Sequence, residues 1–333
     1  MEFPNLECLD YSCRVYNKFI NLASLKNLLK LHTYEFCDEI IMEVENFPLL
    51  EFVELIGDDL SEKTFKKILS IKTLKEISFK LFNTGIDLGL DEIFKIDIQN
   101  LSIKKLDFYI GLYKYDLEII RGNEENSFCD FENKFPNLLD LKLFINRQES
   151  SEYASTEIKI EENPNCKINK IDLTLNGGTD TLKFYCQPFE NLEIIKIKIT
   201  HESNILKSLP MFKYNNKTIY KSLIELDLNI YNYISSKRFN NLSNCINNMP
   251  NLKRFYFHFN SNKINKKKYE DFINKILSLN LEIICIGINI CNEKYDDYYS
   301  FKELKNINTN INFLNYENIK IKHYNKNKFD EEF

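Results

Sequence analysis

Apolar residues in this chain recur in a fixed phrase: apolar, two spacers, apolar, one spacer, apolar. The phrase occurs at Leu6/Leu9/Tyr11, Leu28/Leu31/Thr33, Leu50/Val53/Leu55, Leu74/Ile77/Phe79, Ile103/Leu106/Phe108 and Leu138/Leu141/Leu143. It continues at Ile168/Ile171/Leu173, Leu192/Ile195/Ile197, Leu223/Leu226/Leu228, Leu252/Phe255/Phe257, Leu281/Ile284/Ile286 and Tyr316/Ile319/Ile321. Of these 36 anchors 35 are apolar or aromatic, Thr33 being the exception, in a chain that is 44% hydrophobic. The last two anchors stand two residues apart, so both side chains point to one face of a short strand, and the first enters from the preceding turn. One such strand cannot bury its apolar face; stacked copies make a continuous core. Several copies are introduced by a second recurrence, Phe3-Pro4-Asn5-Leu6, Phe47-Pro48-Leu49-Leu50, Phe135-Pro136-Asn137-Leu138 and Met249-Pro250-Asn251-Leu252, with Phe189-Glu190-Asn191-Leu192 a close relative.

Between the phrases the apolar period changes from two to three and four residues, which predicts amphipathic helices. Ser61 to Ile71 places Phe65, Ile68 and Leu69 on one face. Lys266 to Leu279 does the same with Tyr269, Phe272, Ile273, Ile276 and Leu277, and Asp38 to Asn46 and Lys237 to Asn248 are weaker versions. Strand, turn, helix, turn is a right-handed crossover unit, so the strands are expected to lie parallel. Twelve of them would span about 50 Å along the sheet.

First anchors are separated by 22, 22, 24, 29, 35, 30, 24, 31, 29, 29 and 35 residues. With this spacing and the Leu-x-x-Leu-x-Leu rhythm, the chain resembles the leucine-rich repeat family in an irregular, divergent form, over about residues 3 to 325. That family places an Asn or Cys three residues after the third anchor; Asn146, Asn176, Asn260 and Asn289 match, and Asp58 stands in. Arg14, Phe36, Phe82, Gly111, Thr200, Tyr231 and Tyr324 depart from it. The resemblance implies an α/β leucine-rich repeat solenoid, a curved horseshoe with about twelve parallel strands on its concave face and helices or irregular segments on its convex face. One solenoid is expected over residues 1–324, followed by a polar tail over 325–333. Stretches near 117–134, 148–166 and 290–310 exceed a plain repeat and are expected to be surface insertions, since loop length costs little.

Composition narrows the setting. No basic-plus-apolar leader opens the sequence and no apolar run approaches the 18 residues of a membrane span. The nine cysteines include no Cys-x-x-Cys, so free thiols and a cytoplasmic or nuclear home are expected. The Asn-x-Ser/Thr triplets at Asn100, Asn216 and Asn241 have no meaning without secretion. The excess of Lys over Arg, with two Ala and no Trp, is the usage of an AT-rich genome. A net charge of −5 does not suit a nucleic-acid binder, which carries a basic face; the basic cluster Lys263 to Lys268 is expected to be a solvated edge.

Catalytic signatures are absent: no phosphate loop, no dinucleotide fingerprint, no His-Glu-x-x-His and no Gly-x-Ser-x-Gly. The histidines His32, His201, His258 and His323 lie in different units, an arrangement expected to keep metal ligands apart. No enzyme activity, cofactor or metal is therefore expected. The spacers between anchors face away from the core and line the exposed sheet, and among them Tyr34, Tyr109, Phe144, Arg254, Tyr256 and His258 are the types that dominate binding hot spots. Concave solenoid faces bind partners as a class, so the expected function is a non-enzymatic scaffold for a protein partner. The alternative is the substrate-recruiting subunit of a ubiquitin ligase lacking, or separated from, the short helical adaptor-binding segment that such proteins carry before their repeats. A remote alternative is a leucine-rich GTPase activator using Arg14, Arg121, Arg147, Arg238 or Arg254. An uncapped first strand would present an edge that invites pairing in a larger assembly.

Overall fold

The computed structural model describes residues 5–12, 24–34, 47–57, 62–81, 98–112, 135–147, 157–160, 167–176, 183–186, 191–200, 220–233, 236–261, 266–279 and 281–290. The twelfth unit at Tyr316, the helix expected over Asp38 to Asn46, the stretches 117–134 and 291–310 and the tail 325–333 lie outside them.

Strands form where the phrase falls. They are β1 (Cys8–Ser12), β2 (Lys30–Tyr34), β3 (Phe52–Gly57), β4 (Glu76–Leu81), β5 (Lys105–Leu112), β6 (Asp140–Arg147) and β8 (Lys170–Asn176). The series ends with β10 (Ile194–Ile199), β11 (Glu225–Tyr233), β12 (Arg254–Ser261) and β13 (Ile283–Ile290). These eleven make one sheet in sequence order, and every pairing in it is parallel. The molecule is an α/β solenoid, with eleven strands described against the twelve expected.

Register is kept by the phrase itself, because second anchors pair with second anchors, as in Leu31 with Val53 and Leu226 with Phe255. From the second unit through the tenth all 27 anchors are buried, nine units of three. The first strand is wetter: Leu6 and Leu9 are only partly buried. Truncating a leucine in this stack to Ala would cost about 2–5 kcal/mol.

Two backbone devices repeat with the sequence. At each of the ten steps across the sheet, one carbonyl ahead of a strand accepts bonds from two successive amides of the next unit. Glu7 O takes Leu29 N at 2.8 Å and Lys30 N at 2.9 Å, and Ile224 O takes Lys253 N and Arg254 N at 2.9 Å. The second device explains the Phe-Pro-Asn-Leu recurrence. The Leu50, Leu138 and Leu252 amides donate to Phe47 O, Phe135 O and Met249 O three residues back. Each motif is thus a β-turn with proline at its second position, where a fixed φ is pre-set for it. The leading Phe47, Phe135 and Met249 are buried in the core. The asparagine clasps the preceding unit: Asn137 Nδ2 donates to Leu101 O at 2.7 Å and Asn251 Nδ2 to Lys221 O at 2.6 Å.

Helices α1 (Glu62–Leu69), α2 (Ser236–Ile246) and α3 (Lys266–Leu277) lie within or close to the spans that periodicity predicts. They cover the anchor face. Phe65 of α1 packs on Phe79 with ring centroids 5.3 Å apart, and Phe239 of α2 meets Phe259 at 4.7 Å and Phe272 of α3 at 5.1 Å. The two Phe239 contacts are edge-to-face, and such pairs add about 0.5–1.5 kcal/mol beyond their buried area.

One feature of the 148–166 stretch was not foreseen. It contains strand β7 (Glu157–Ile160), which pairs parallel with β9 (Lys183–Cys186) in a separate two-stranded sheet. The insertion after one unit and the connection after the next therefore build a second, smaller ladder.

Candidate functional site

Alternation along each strand sends the anchors into the core and the spacers to the opposite face. The burial patterns follow it: β8 alternates half-buried and buried along its whole length, as does β3. The three described helices pack on the anchors, so among the described residues the spacers form an open face.

In-register parallel pairing turns the spacers into three rows crossing the sheet. The first row includes Glu76, Lys105, Asp140 and Lys170 on β4, β5, β6 and β8. The middle row includes Asp107, Lys142, Asp172, Lys196 and Asp227 on β5, β6, β8, β10 and β11. Both rows alternate in sign, and on β5, β6 and β8 they are out of phase, so each charge there meets its opposite both along its strand and across it. Lys142 Nζ lies 2.9 Å from Asp107 Oδ2, Lys170 Nζ 2.6 Å from Asp140 Oδ2, and Lys105 Nζ 3.4 Å from Glu76 Oε2. The pattern breaks at β11, which carries two acids. There Glu225, whose side chain is 8% exposed, is clamped by Lys196 Nζ at 2.9 Å and Arg254 Nε at 3.1 Å.

Burial dominates at two acids of the middle row. It pushes the carboxyl of Asp172 up, although the charges of Lys142, Lys170 and Lys196 pull it part of the way back. It pushes Asp227 up as well; Lys196 opposes the rise, while Glu225 and Asp172 add to it. Hydrogen bonding to Asp107 raises Lys142, and bonding to Glu225 raises Lys196, in both cases against desolvation. At Glu54 burial raises the carboxyl, but hydrogen bonds and charges from Lys80 and His32 together outweigh it and hold the group below its ordinary value.

The third row is different. From β2 to β8 it runs Tyr34, Ile56, Lys80, Tyr109, Phe144 and Thr174, a largely apolar and aromatic strip beside the charged rows. Tyr109 and Phe144 stack with centroids 4.4 Å apart and planes 12° from parallel, and Tyr34 is 42% exposed.

The six residues expected at the interface thus fall into three places. Tyr109 and Phe144 form one stacked unit, and Tyr34 stands three strands away in the same row. Arg254, Tyr256 and His258 share β12, where Arg254 is tied to Glu225 and His258 Nε2 lies 3.9 Å from Cys285 Sγ. Sequence reasoning missed the charge rows, whose signal appears only when spacers are compared between units rather than along each one. The expectation that stacking keeps metal-ligating types apart also needs correction. Cys8, Asp10 and His32 bring their ligand atoms within 4.8 Å of one another, because Asp10 and His32 are direct register partners.

No family model matches the chain. No curated protein matches it either. A crystal structure of a Bacteroides fragilis protein is similar at 12% identity, covering 73% of this chain and 76% of that one with a TM-score of 0.31; the likeness says nothing of function. No helix among the described residues is long and apolar enough to cross a membrane.

Proposed function

We propose that this protein is a non-enzymatic interaction scaffold of the leucine-rich repeat type, holding a protein partner on the open face of its sheet. The observation that carries the reading is the aromatic strip centred on stacked Tyr109 and Phe144, set beside rows of paired charge. Rigid aromatic rings give large contact area at little entropic cost, and interface hot spots favour them. The charge rows supply specificity rather than bulk attraction. Across all three rows of the eleven described strands the spacer positions carry eight acids (Asp10, Glu54, Glu76, Asp107, Asp140, Asp172, Glu225, Asp227) and eight bases (Lys30, Lys80, Lys105, Lys142, Lys170, Lys196, Lys198, Arg254). A balanced face of that kind gives a polyanion no net attraction, but it suits a protein surface of mixed charge.

The test is affinity capture from native cells with the wild-type chain and with Tyr109→Ala/Phe144→Ala, followed by binding of the purified captured protein to each. The reading expects a protein that binds the wild type directly and the double variant at least tenfold more weakly. Equal binding to both would remove the aromatic strip from the account.

A further inference from the structure

At the first two strands the open face brings together a sulfur, an oxygen and a nitrogen donor. Cys8 and Asp10 are two residues apart on β1 and so share a face. His32 sits across from Asp10 on β2, with its Nε2 4.0 Å from Asp10 Oδ1. The sulfur, the carboxylate and the imidazole all lie within 4.8 Å of one another. The far side of the imidazole is already committed, since His32 Nδ1 lies 2.7 Å from Glu54 Oε2 on β3. Glu54 is held in turn by Lys80 Nζ at 2.6 Å from its other oxygen, and the ring packs on Phe52 with centroids 5.1 Å apart. A carboxylate accepting from Nδ1–H selects the tautomer whose free lone pair is on Nε2, the atom nearer Asp10 Oδ1. That outer-shell arrangement characterises metal-binding histidines, and it orients the ring before any ion arrives.

We propose that Cys8, Asp10 and His32 bind a borderline divalent transition-metal ion of the Zn2+ class, with Glu54 as the positioning residue. Thiolate and imidazole together select such ions over Ca2+ or Mg2+, which demand oxygen. Three protein ligands leave a fourth tetrahedral position to water or to a partner's side chain. Bonds of about 2.0–2.3 Å put tetrahedral ligands about 3.3–3.8 Å apart, so the site closes by about 1 Å, a movement available to the exposed Cys8 and Asp10 side chains. The ion would bridge β1 to β2 where burial holds the stack least, since Leu6 and Leu9 are only partly buried. This inference stands apart from the scaffold reading, and either can fail alone.

The probe is Co2+, titrated into the full-length, reduced, tag-free protein and then displaced by Zn2+. One equivalent is expected, with a thiolate-to-cobalt charge-transfer band in the near ultraviolet that Zn2+ abolishes. Cys8→Ser removes the band, Glu54→Gln weakens affinity about tenfold, and Cys285→Ser, which breaks the Cys285–His258 contact, leaves both unchanged. Should a variant not fold, wild-type alkylation decides: Zn2+ is expected to slow modification of Cys8 at least tenfold, read by peptide mass spectrometry. A band that survives Cys8→Ser, or Cys8 alkylated equally fast with and without Zn2+, overturns the proposal.

Discussion

Tyr109 and Phe144 stack face to face on neighbouring parallel strands, 4.4 Å between centroids, with neither ring part of the buried core. Solvent-facing rings held this way keep one geometry without a partner, so less ordering is left to do on binding. Removing either ring should therefore separate binding from folding. Tyr109→Ala and Phe144→Ala are each expected to lower stability by no more than about 1.5 kcal/mol, the scale of one cross-strand aromatic pair. Each should weaken partner binding by tenfold or more. Urea midpoints and titration calorimetry on the same preparations check the two halves.

Asn100 tests how the turns are held. Its side chain, only 4% exposed, donates to Leu69 O at 2.8 Å and Ile71 O at 3.0 Å, and accepts from Ser102 N at 2.9 Å and Ile103 N at 3.2 Å. Asn100→Ala strands several buried backbone groups at once, which is expected to cost about 2–3 kcal/mol. Denaturant unfolding measures the loss. The Asn-Leu-Ser triplet at this position is thus the joint between α1 and β5.

Thr33 tests the opposite case, a polar group with too few partners. It occupies an anchor position, is fully buried, and its Oγ1 has no hydrogen-bond partner among the described residues. Thr33→Val keeps the shape and removes the orphaned hydroxyl, so the variant is expected to gain about 1 kcal/mol. A urea midpoint equal to or below wild type would count against this placement of Thr33.

The same residue shows what the sequence could and could not convey. Anchors were legible because burial of a strand face demands one chemistry at fixed spacing; even Thr33, the chemical outlier, takes its place in register with Leu55. Helices α1, α2 and α3 were legible because their period differs from that of the strands. β7 and β9 were not, since Glu157–Ile160 and Lys183–Cys186 are four residues each, too short for periodicity to speak. The aromatic members of the open face could be picked individually, but not the contact between Tyr109 and Phe144. Nor could one unit disclose that Asp10, His32 and Glu54 line up across three strands. Such neighbours are set by register across a separation of 22 residues, and a single unit carries no record of it.

Acidification gives a signed prediction. Asp172 and Asp227 have folded-state pKa values raised above the ordinary 3.8, chiefly by burial. A raised acid favours folding while it is protonated, so that contribution is complete below pH 3.8 and disappears as pH rises through the raised value. Above the raised value each group is charged while partly desolvated. Asp227→Asn removes the charge, so its stability relative to wild type should be more favourable at pH 7 than near pH 4. Urea midpoints of both proteins at the two pH values measure this, and a difference independent of pH would contradict the assigned cause.

The lysines behave in the other range. Lys142 and Lys196 have values raised above 10.5, chiefly by hydrogen bonds to Asp107 and Glu225. Their contribution is complete below pH 10.5 and is lost as pH climbs through the raised values. Lys196→Met, which abolishes its share, should flatten the alkaline loss of stability; a variant profile superimposable on that of the wild type above pH 10.5 would exclude the assignment.

The central claim is that the open sheet face, rather than the helix-covered side, grips the partner. Hydroxyl-radical footprinting of the complex with the captured protein tests it most directly, because it reports side chains one by one. Protection is predicted at Tyr34, Tyr109, Phe144 and Tyr256, with no change at the exposed helix residues Lys63 and Lys237. Protection confined to the helices, with the four aromatic side chains labelled as in the free protein, would contradict the account.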